Sequence, residues 1–152
     1  MSNEAWKTVS LRDVVMEEIR PFLLEDRIDI AVEKGPLVAL DPRAALALGM
    51  AVHELTTNAV RHGALSVPEG KVTLTWSTVR EEDKDVLLLE WNESGGPRVM
   101  PPASQGFGLL LIERGLRQDI GAEVAMAFAV EGLRAKFKVP LPAHSPADPF
   151  EG

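Results

Sequence analysis

The sequence has 152 residues and a mass of 16.5 kDa, and its 16 Lys and Arg residues against 23 Asp and Glu residues give a formal net charge of −7. A chain of this length is typical of one domain that buries enough surface to fold without disulfides or metal ions. It contains no cysteine, which excludes a disulfide framework, a thiolate zinc site, an iron–sulfur cluster and a cysteine nucleophile. The acidic balance and the aromatic content of 5% argue against nucleic-acid binding.

The sequence shows no pattern typical of secretion or membrane insertion. Its first residues lack a basic segment followed by an apolar core, and the most apolar stretch, 37–52, is interrupted at 41–43. These features predict a soluble, cytoplasmic protein without direct membrane contact. The Pro-containing segment 143–152 is expected to be a disordered tail, which leaves 1–142 as the domain.

Apolar periodicity predicts the secondary-structure elements. The clearest helix has Asp41 as its N-cap, Pro42 at its first position and Gly63 at its end. Pro21 is expected to disturb the last turn of the first helix. In chain order the predicted elements are a helix at 11–24, strands at 28–33 and 37–40, a helix at 42–62, strands at 71–79 and 85–93, an irregular loop at 94–106, a helix at 107–118, and strands at 122–129 and 133–139.

The order of these elements indicates the fold class. Helices do not alternate regularly with strands, so a doubly wound parallel sheet is disfavoured. We predict an α+β (α/β) two-layer sandwich, in which a mixed, mostly antiparallel sheet of about five strands carries three helices on one face. The apolar strand 85–93 is expected to be central, and the alternation in 133–139 predicts one solvated sheet face. Glu131 and Gly132 are expected to form the last hairpin turn.

A line of polar residues interrupts the otherwise apolar helix at 42–62. With Glu54 as the zero of angle, Asn58 lies at about +40° and Arg61 at about −20°, so these side chains share one helix face. Carboxylate and amide oxygens suit Mg²⁺ and its waters, and a guanidinium suits phosphate oxygens. A solvent-exposed face with an ion pair explains the same triplet, and the spacing alone favours that simpler interpretation. The adjacent His53 is interpreted as a structural residue at the helix flank.

Two glycine clusters border the irregular loop. Glu93 ends the predicted central strand and is followed by Gly95 and Gly96, whereas Gly106 and Gly108 open a helix whose free N–H groups and dipole attract phosphate. A connecting loop that needs glycine for its turns explains each cluster on its own. Together with the polar helix face, the clusters supply a hydrogen-bond acceptor for a base, a metal ligand, backbone N–H groups for phosphate and a flexible loop that can cover the site.

The segment HELTTNAVRHGALS at 53–66 resembles the N-box of the GHKL ATPases, which include sensor histidine kinases, gyrase, Hsp90 and mismatch-repair ATPases. His53 before Glu54, and a Trp-x-Glu motif formed by Trp91 and Glu93, are similar to the residues for which the HWE histidine kinases are named. The resemblance covers nearly all of the chain and continues through GGP at 95–97, GFG at 106–108 and GLRAKFKVPLP at 132–142.

The resemblance implies a Bergerat fold, an α/β sandwich that binds Mg-ATP. It implies that Asn58 ligates Mg²⁺ and that Glu54 holds a metal-bound or reacting water. It also implies that Arg61 and His62 lie near the phosphates or the ribose, and that Glu93 accepts from the adenine amino group. The remaining implied nucleotide contacts are Gly95 and Gly96 beside the purine, Gly106, Phe107, Gly108 and Leu109 around the phosphates, and residues 97–105 as the ATP lid.

The same resemblance implies the function. It points to the catalytic and ATP-binding domain of a two-component sensor histidine kinase, which presents Mg-ATP to a phosphoacceptor histidine on a separate dimerisation hairpin. A response regulator receiver domain is the expected downstream partner. No acceptor hairpin is recognisable in the sequence, so the domain itself is expected to be a monomer. Two alternatives stay open: an anti-sigma-factor-like GHKL serine kinase, and a degenerate docking module that binds no nucleotide.

Overall fold

The computed structural model describes residues 8–25, 29–97, 108–130 and 132–141, so the predicted tail at 143–152 lies outside the described residues. The predicted α+β sandwich is confirmed: in these ranges a sheet of five strands is combined with three α-helices. The elements in chain order are β1 (Val9–Ser10), α1 (Leu11–Glu25), β2 (Ile30–Val32), β3 (Ala39–Leu40), α2 (Pro42–Arg61), a 3₁₀ turn (Ala64–Ser66), β4 (Lys71–Glu81), β5 (Lys84–Ser94), α3 (Gly108–Ile120), β6 (Glu123–Ala129) and β7 (Gly132–Pro140).

The main sheet has the strand order β2-β4-β5-β7-β6, and only the β2–β4 pair is parallel. Strand β5 is therefore central, as its apolar sequence predicted. The strand predicted at 37–40 does not join this sheet. Its last two residues, β3, pair instead with β1, a strand that the sequence prediction missed because two residues are too short to show an alternating pattern.

The core lies between one face of the sheet and the three helices. The α2 face opposite the polar residues is buried as predicted, and Trp91 of β5 and Phe137 of β7 are among the largest fully buried side chains. Outward-facing residues of β7, such as Lys136, are exposed, which confirms the solvated sheet face. No helix among the described ranges is long and apolar enough to cross a membrane. The α2 residues in this core include Leu48, Val52, Leu55 and Ala59.

Two details differ from the sequence prediction. Helix α1 continues through Pro21 to Glu25, because Ile19 and Leu23 on either side of the proline both pack in the core. Burial of these side chains outweighs the one backbone hydrogen bond that proline cannot donate. The last hairpin turn is also shifted, since Gly132 is already a strand residue paired with Ala129. The site geometry described below explains why glycine is needed there.

Helix α2, which supplies much of the candidate site, begins as predicted. Asp41 Oδ1 accepts a hydrogen bond of 2.8 Å from the backbone N–H of Ala44, and Pro42 is the first helical residue. At the other end the N–H of His62 donates to the Asn58 carbonyl oxygen at 2.8 Å. The helix therefore has a side-chain cap at its N-terminus and stops at Arg61, one residue before the predicted end.

Replacing the helix cap should destabilise the domain measurably. Asp41→Ala is expected to lower the free energy of unfolding by about 1 kcal/mol, because the Ala44 N–H loses its side-chain acceptor. Urea denaturation followed by far-UV circular dichroism measures this change. Asp41→Asn is the matched control, since an asparagine oxygen caps equally well. An equal loss of stability in both variants would show that the cap is not the source of the effect.

Candidate functional site

The first part of the candidate site lies on one face of α2. Asn58 Nδ2 donates to Glu54 Oε2 and to the Glu54 carbonyl oxygen, both at 2.8 Å, and both side chains are half-buried. The i, i+4 spacing of a helix brings these groups together, as the sequence predicted. The amide nitrogen of Asn58 is thus committed to Glu54, and Oδ1 is the one atom of this amide that can serve a cation as ligand.

The start of α3 meets this pair. A Cβ added to Gly108 would overlap the Glu54 carboxylate, so a larger residue there would require that carboxylate to move. The first turn of a helix carries backbone N–H groups without intrahelical partners and the positive end of the helix dipole. Three residues predicted from two separate motifs, Glu54 and Asn58 from one and Gly108 from the other, therefore lie together. The cluster combines oxygen ligands with a helix N-terminus, which suits a cation and phosphate together.

The second part of the site is the carboxylate of Glu93 near the end of β5, which is only 3% exposed. Its Oε1 accepts from the backbone N–H of Ala64 at 3.1 Å and of Leu133 at 3.3 Å. Its Oε2 accepts from Trp91 Nε1 at 3.0 Å. Three N–H donors from three different parts of the chain thus stabilise a buried acidic side chain, and burial without them would be costly.

Two glycines make room for this side chain. A Cβ on Gly63 would lie 2.6 Å from Glu93 Oε1, and a Cβ on Gly132 would lie 2.5 Å from Glu93 Cβ. Both distances are too short for packed atoms, so a larger residue at either position would displace the Glu93 side chain. Gly132 is a strand residue with a φ of 143°, so both its close packing against Glu93 and its backbone conformation require glycine.

Gly95 and Gly96 bring the chain after β5 against the segment that follows α2. Gly95 has a φ of 73°, and its Cβ would lie 2.6 Å from the carbonyl oxygen of Glu69. A Cβ on Gly96 would overlap the backbone of Ala64. Packing between two backbone segments therefore already requires both glycines, whether or not a purine lies beside them.

The two parts of the site are joined by α2. Glu54 lies in its middle, and Ala64 follows its C-terminal end. The helical rise from Glu54 to Arg61 is about 10 Å. The site therefore has a cluster of oxygen ligands and a helix N-terminus at one end and a buried, hydrogen-bonded carboxylate at the other.

The remaining predicted site residues do not join the two clusters around Glu54 and Glu93, or lie outside the described residues. Arg61 and His62 are exposed at the C-terminal end of α2. Leu109 is 3% exposed and packs in the core, so only its backbone N–H is suited to a phosphate contact. Gly106 and Phe107 lie outside the described residues, and of the predicted lid at 97–105 only Pro97 is described.

His53 contacts α1 and not the pair formed by Glu54 and Asn58. Its Nδ1 lies 3.3 Å from Glu18 Oε1, and its ring centroid lies 6.3 Å from that of Phe22. Its side chain is 57% exposed. These contacts between two helices fit the structural role that the sequence suggested for this histidine.

Sequence reasoning missed the partners of Glu93. The donors at Ala64 and Leu133 are 29 and 40 positions away and are backbone groups, which no residue pattern reveals. The contact between Trp91 and Glu93 was predictable from the sequence, because residues two apart on a strand point to the same face. The Trp-x-Glu spacing therefore predicts that the indole and the carboxylate are neighbours.

No family model matches the chain. Among curated proteins it is 39% identical over 145 residues to blue-light-activated histidine kinase 1 of Erythrobacter litoralis, a match that covers 92% of this chain and 38% of that protein. It is 32% identical over 140 residues to the blue-light-activated histidine kinase of Brucella ovis, covering 91% of this chain and 28% of that protein. The chain thus spans less than half the length of these curated relatives.

Solved structures share the fold. The catalytic domain of histidine kinase ThkA superposes with a TM-score of 0.62 at 18% identity, covering 89% of this chain and 96% of that chain. The ATP binding domain of PrrB from Mycobacterium tuberculosis gives a TM-score of 0.59 at 19% identity, covering 90% and 97%. The chain therefore shares the fold of these histidine kinase domains.

The sequence relationship makes the assignment more specific. Over nearly its whole length the chain is a homologue of the blue-light-activated histidine kinases. The histidine kinase domain of the Erythrobacter litoralis EL346 blue-light activated histidine kinase also shares its fold, with a TM-score of 0.58 at 20% identity, covering 82% of this chain and 57% of that chain. The resemblance to histidine kinases that the motifs indicated is confirmed by these relatives.

Proposed function

We propose that this chain is the ATP-binding catalytic domain of a sensor histidine kinase, which presents the γ-phosphate of Mg-ATP to a histidine on a separate helical hairpin. The observation that carries this proposal is the placement of Glu54, Asn58 and Gly108 together, with the buried Glu93 beyond the end of the same helix. The name of the PrrB domain, which describes it as ATP binding, supports the proposal.

Glu93 is the proposed acceptor for the adenine amino group. An ionised carboxylate has about four acceptor positions, and the three N–H donors already described occupy three of them. Among the described residues no further donor takes the fourth position, which is on Oε2. An exocyclic amino group fits this position, whereas a carbonyl oxygen would meet a second oxygen. Gly95 and Gly96 are proposed to let the purine approach the backbone beside it.

Asn58 is the proposed Mg²⁺ ligand through Oδ1, and Glu54 is proposed to hold a water at the metal or the reacting phosphate. The oxygen donors of this pair fit Mg²⁺, which prefers oxygen ligands and keeps several waters. When bound, Mg²⁺ neutralises charge on the phosphates. Arg61 and His62 are proposed to contact the phosphates or the ribose from the exposed end of α2.

The glycine-rich start of α3 is proposed to cradle the phosphates. Backbone N–H groups from Gly108 and Leu109 lie at a helix N-terminus, where anions bind favourably. Gly106 and Phe107 are proposed to continue this contact, and residues 97–105 to cover it as a lid. The roles of Gly106, Phe107 and residues 97–105 are taken from the family resemblance.

The reaction requires mainly that these groups hold the triphosphate in position. Phosphoryl transfer depends on alignment and charge neutralisation, because the nucleophile already carries the electron pair that forms the new bond. A neutral imidazole nitrogen of the acceptor attacks the γ-phosphorus, and the bond from that phosphorus to the bridging oxygen of ADP breaks. The phosphorylated histidine then donates its phosphoryl group to a response regulator receiver domain.

Calorimetry with a non-hydrolysable ATP analogue and Mg²⁺ tests the binding step. We expect heat of binding and a rise in the melting temperature, since the ligand binds only the folded state. The absence of both would contradict the proposal and favour the docking module that binds no nucleotide.

A transfer assay separates the kinase alternatives. Incubation with γ-labelled ATP and a separate histidine hairpin should yield acid-labile, base-stable label on the hairpin. Acid-stable label on a serine-bearing anti-anti-sigma protein, without label on the hairpin, would instead support the anti-sigma-factor-like serine kinase.

A further inference from the structure

The Trp-x-Glu pair at the end of β5 is arranged as one unit. Strand residues two apart share a face, so the side chains of Trp91 and Glu93 point the same way. Trp91 Nε1 donates to Glu93 Oε2 at 3.0 Å. Trp91 is fully buried in the core, so packing on all sides holds the indole and its N–H in one orientation.

The other carboxylate oxygen is held by the main chain. Glu93 Oε1 accepts from the N–H groups of Ala64 and Leu133, which belong to the segment after α2 and to β7. These backbone donors fix one oxygen but allow the carboxylate plane to turn about it. Trp91 supplies the donor on the second oxygen, and it is the one member of the three that is a side chain. Fixing both oxygens defines the direction of the remaining acceptor position.

We propose that Trp91 is a positioning residue for nucleobase selection: its indole N–H orients Glu93 so that Oε2 accepts one more N–H from the base. This inference rests on the proposed ATP site and assigns a role to a residue that would not itself touch the nucleotide. An indole N–H donates and never accepts, so it keeps Oε2 an acceptor toward the ligand. A purine with an exocyclic amino group satisfies that position, and a purine without one leaves a buried carboxylate position unpaired.

The test compares two nucleotides that differ only at this group. ATP and purine riboside triphosphate, in which hydrogen replaces the amino group, are titrated with Mg²⁺ by calorimetry. For the unmodified chain we expect a preference for ATP of about tenfold or more, the usual value of a hydrogen bond to a charged group. In Trp91→Phe, and in a variant with 3-benzothienylalanine at this position, we expect that preference to fall about fivefold or more.

The benzothienyl variant keeps the shape of the indole and replaces only its N–H by sulfur. It therefore separates the missing donor from the smaller ring of phenylalanine. A purely structural role for Trp91 would weaken both nucleotides equally and leave their ratio unchanged. The ratio is thus the readout that a packing defect does not move.

Trp76 on β4 is the matched control. Its Nε1 donates to the Pro36 carbonyl oxygen at 2.9 Å, and the residue is 7% exposed, so Trp76→Phe removes the same kind of bond from the same core. We expect this variant to lose stability and to retain the ATP preference of the unmodified chain.

The outcomes distinguish the two proposals. An unchanged ATP preference in both Trp91 variants would overturn the positioning role while leaving the ATP site intact. Equal loss of preference in the Trp76 variant would also overturn it, because the effect would then follow from general loosening of the core. Absence of binding of either nucleotide to the unmodified chain would instead refute the ATP site itself.

Discussion

Asn58→Ala is expected to weaken Mg-ATP binding by about 100-fold or more while leaving the domain folded. The variant removes the proposed Mg²⁺ ligand Oδ1 and also the hydrogen bonds that orient Glu54. Because Asn58 is only half-buried, the expected loss of folding stability is about 1 kcal/mol or less. Calorimetry with the non-hydrolysable analogue measures the affinity, and thermal unfolding without nucleotide measures the stability.

The neighbouring Thr57→Ala is the control for this experiment. Thr57 Oγ1 donates to the His53 carbonyl oxygen at 2.8 Å, the same backward bond along α2 that Asn58 makes to Glu54. The control therefore removes one side-chain bond from the same helix turn without touching the proposed ligand. Similar affinities of Thr57→Ala and Asn58→Ala would refute the assignment of Asn58.

Glu93→Gln is expected to lower the free energy of unfolding by about 2–3 kcal/mol, although the two side chains have the same size. A glutamine amide has one acceptor oxygen and one donor nitrogen. Whichever way it is turned, its NH₂ faces either the Trp91 N–H or the pair of backbone N–H groups. At least one buried donor then loses its partner, and the melting temperature should fall by several degrees, on the order of 10 °C at most.

Glu90→Gln provides the comparison on the same strand. Glu90 is half-buried on the opposite face of β5, where it pairs in register with Lys136. Its neutralisation should change the free energy of unfolding by about 0.5 kcal/mol or less, as is usual for surface substitutions. Equal stability of the Glu93 and Glu90 variants in chemical denaturation would show that the three N–H contacts contribute little.

The elements that the sequence predicted well have strong local signals. Helix α2 has a cap, a proline at its first position and an apolar face, and each of these acts within a few residues. Glu54 and Asn58 meet because of the helical repeat alone, so their contact followed from spacing. Local patterns therefore account for helix α2 and for the contact between Glu54 and Asn58.

The surroundings of Glu93 depend on contacts that local patterns do not contain. Glu93 is held by groups that chain topology brings from distant positions, and Gly132 looked like a turn residue because its packing partner was unknown. The spacing of the polar residues on α2 favoured a solvent-exposed face with an ion pair, and the exposed Arg61 fits that simpler explanation. Family resemblance, rather than periodicity, supplied the nucleotide roles.

The contacts of Gly63 and Gly132 with Glu93 have different consequences for sequence change within the family. An aspartate at position 93 would withdraw the carboxylate from Gly63 and leave some amide hydrogens out of reach. It would not make room at Gly132, because a Cβ there would meet Glu93 Cβ, which aspartate also has, and because the φ of Gly132 is 143°. Relatives that use the shorter acid should therefore keep glycine at the position of Gly132, and a compensating methyl group should appear at the position of Gly63.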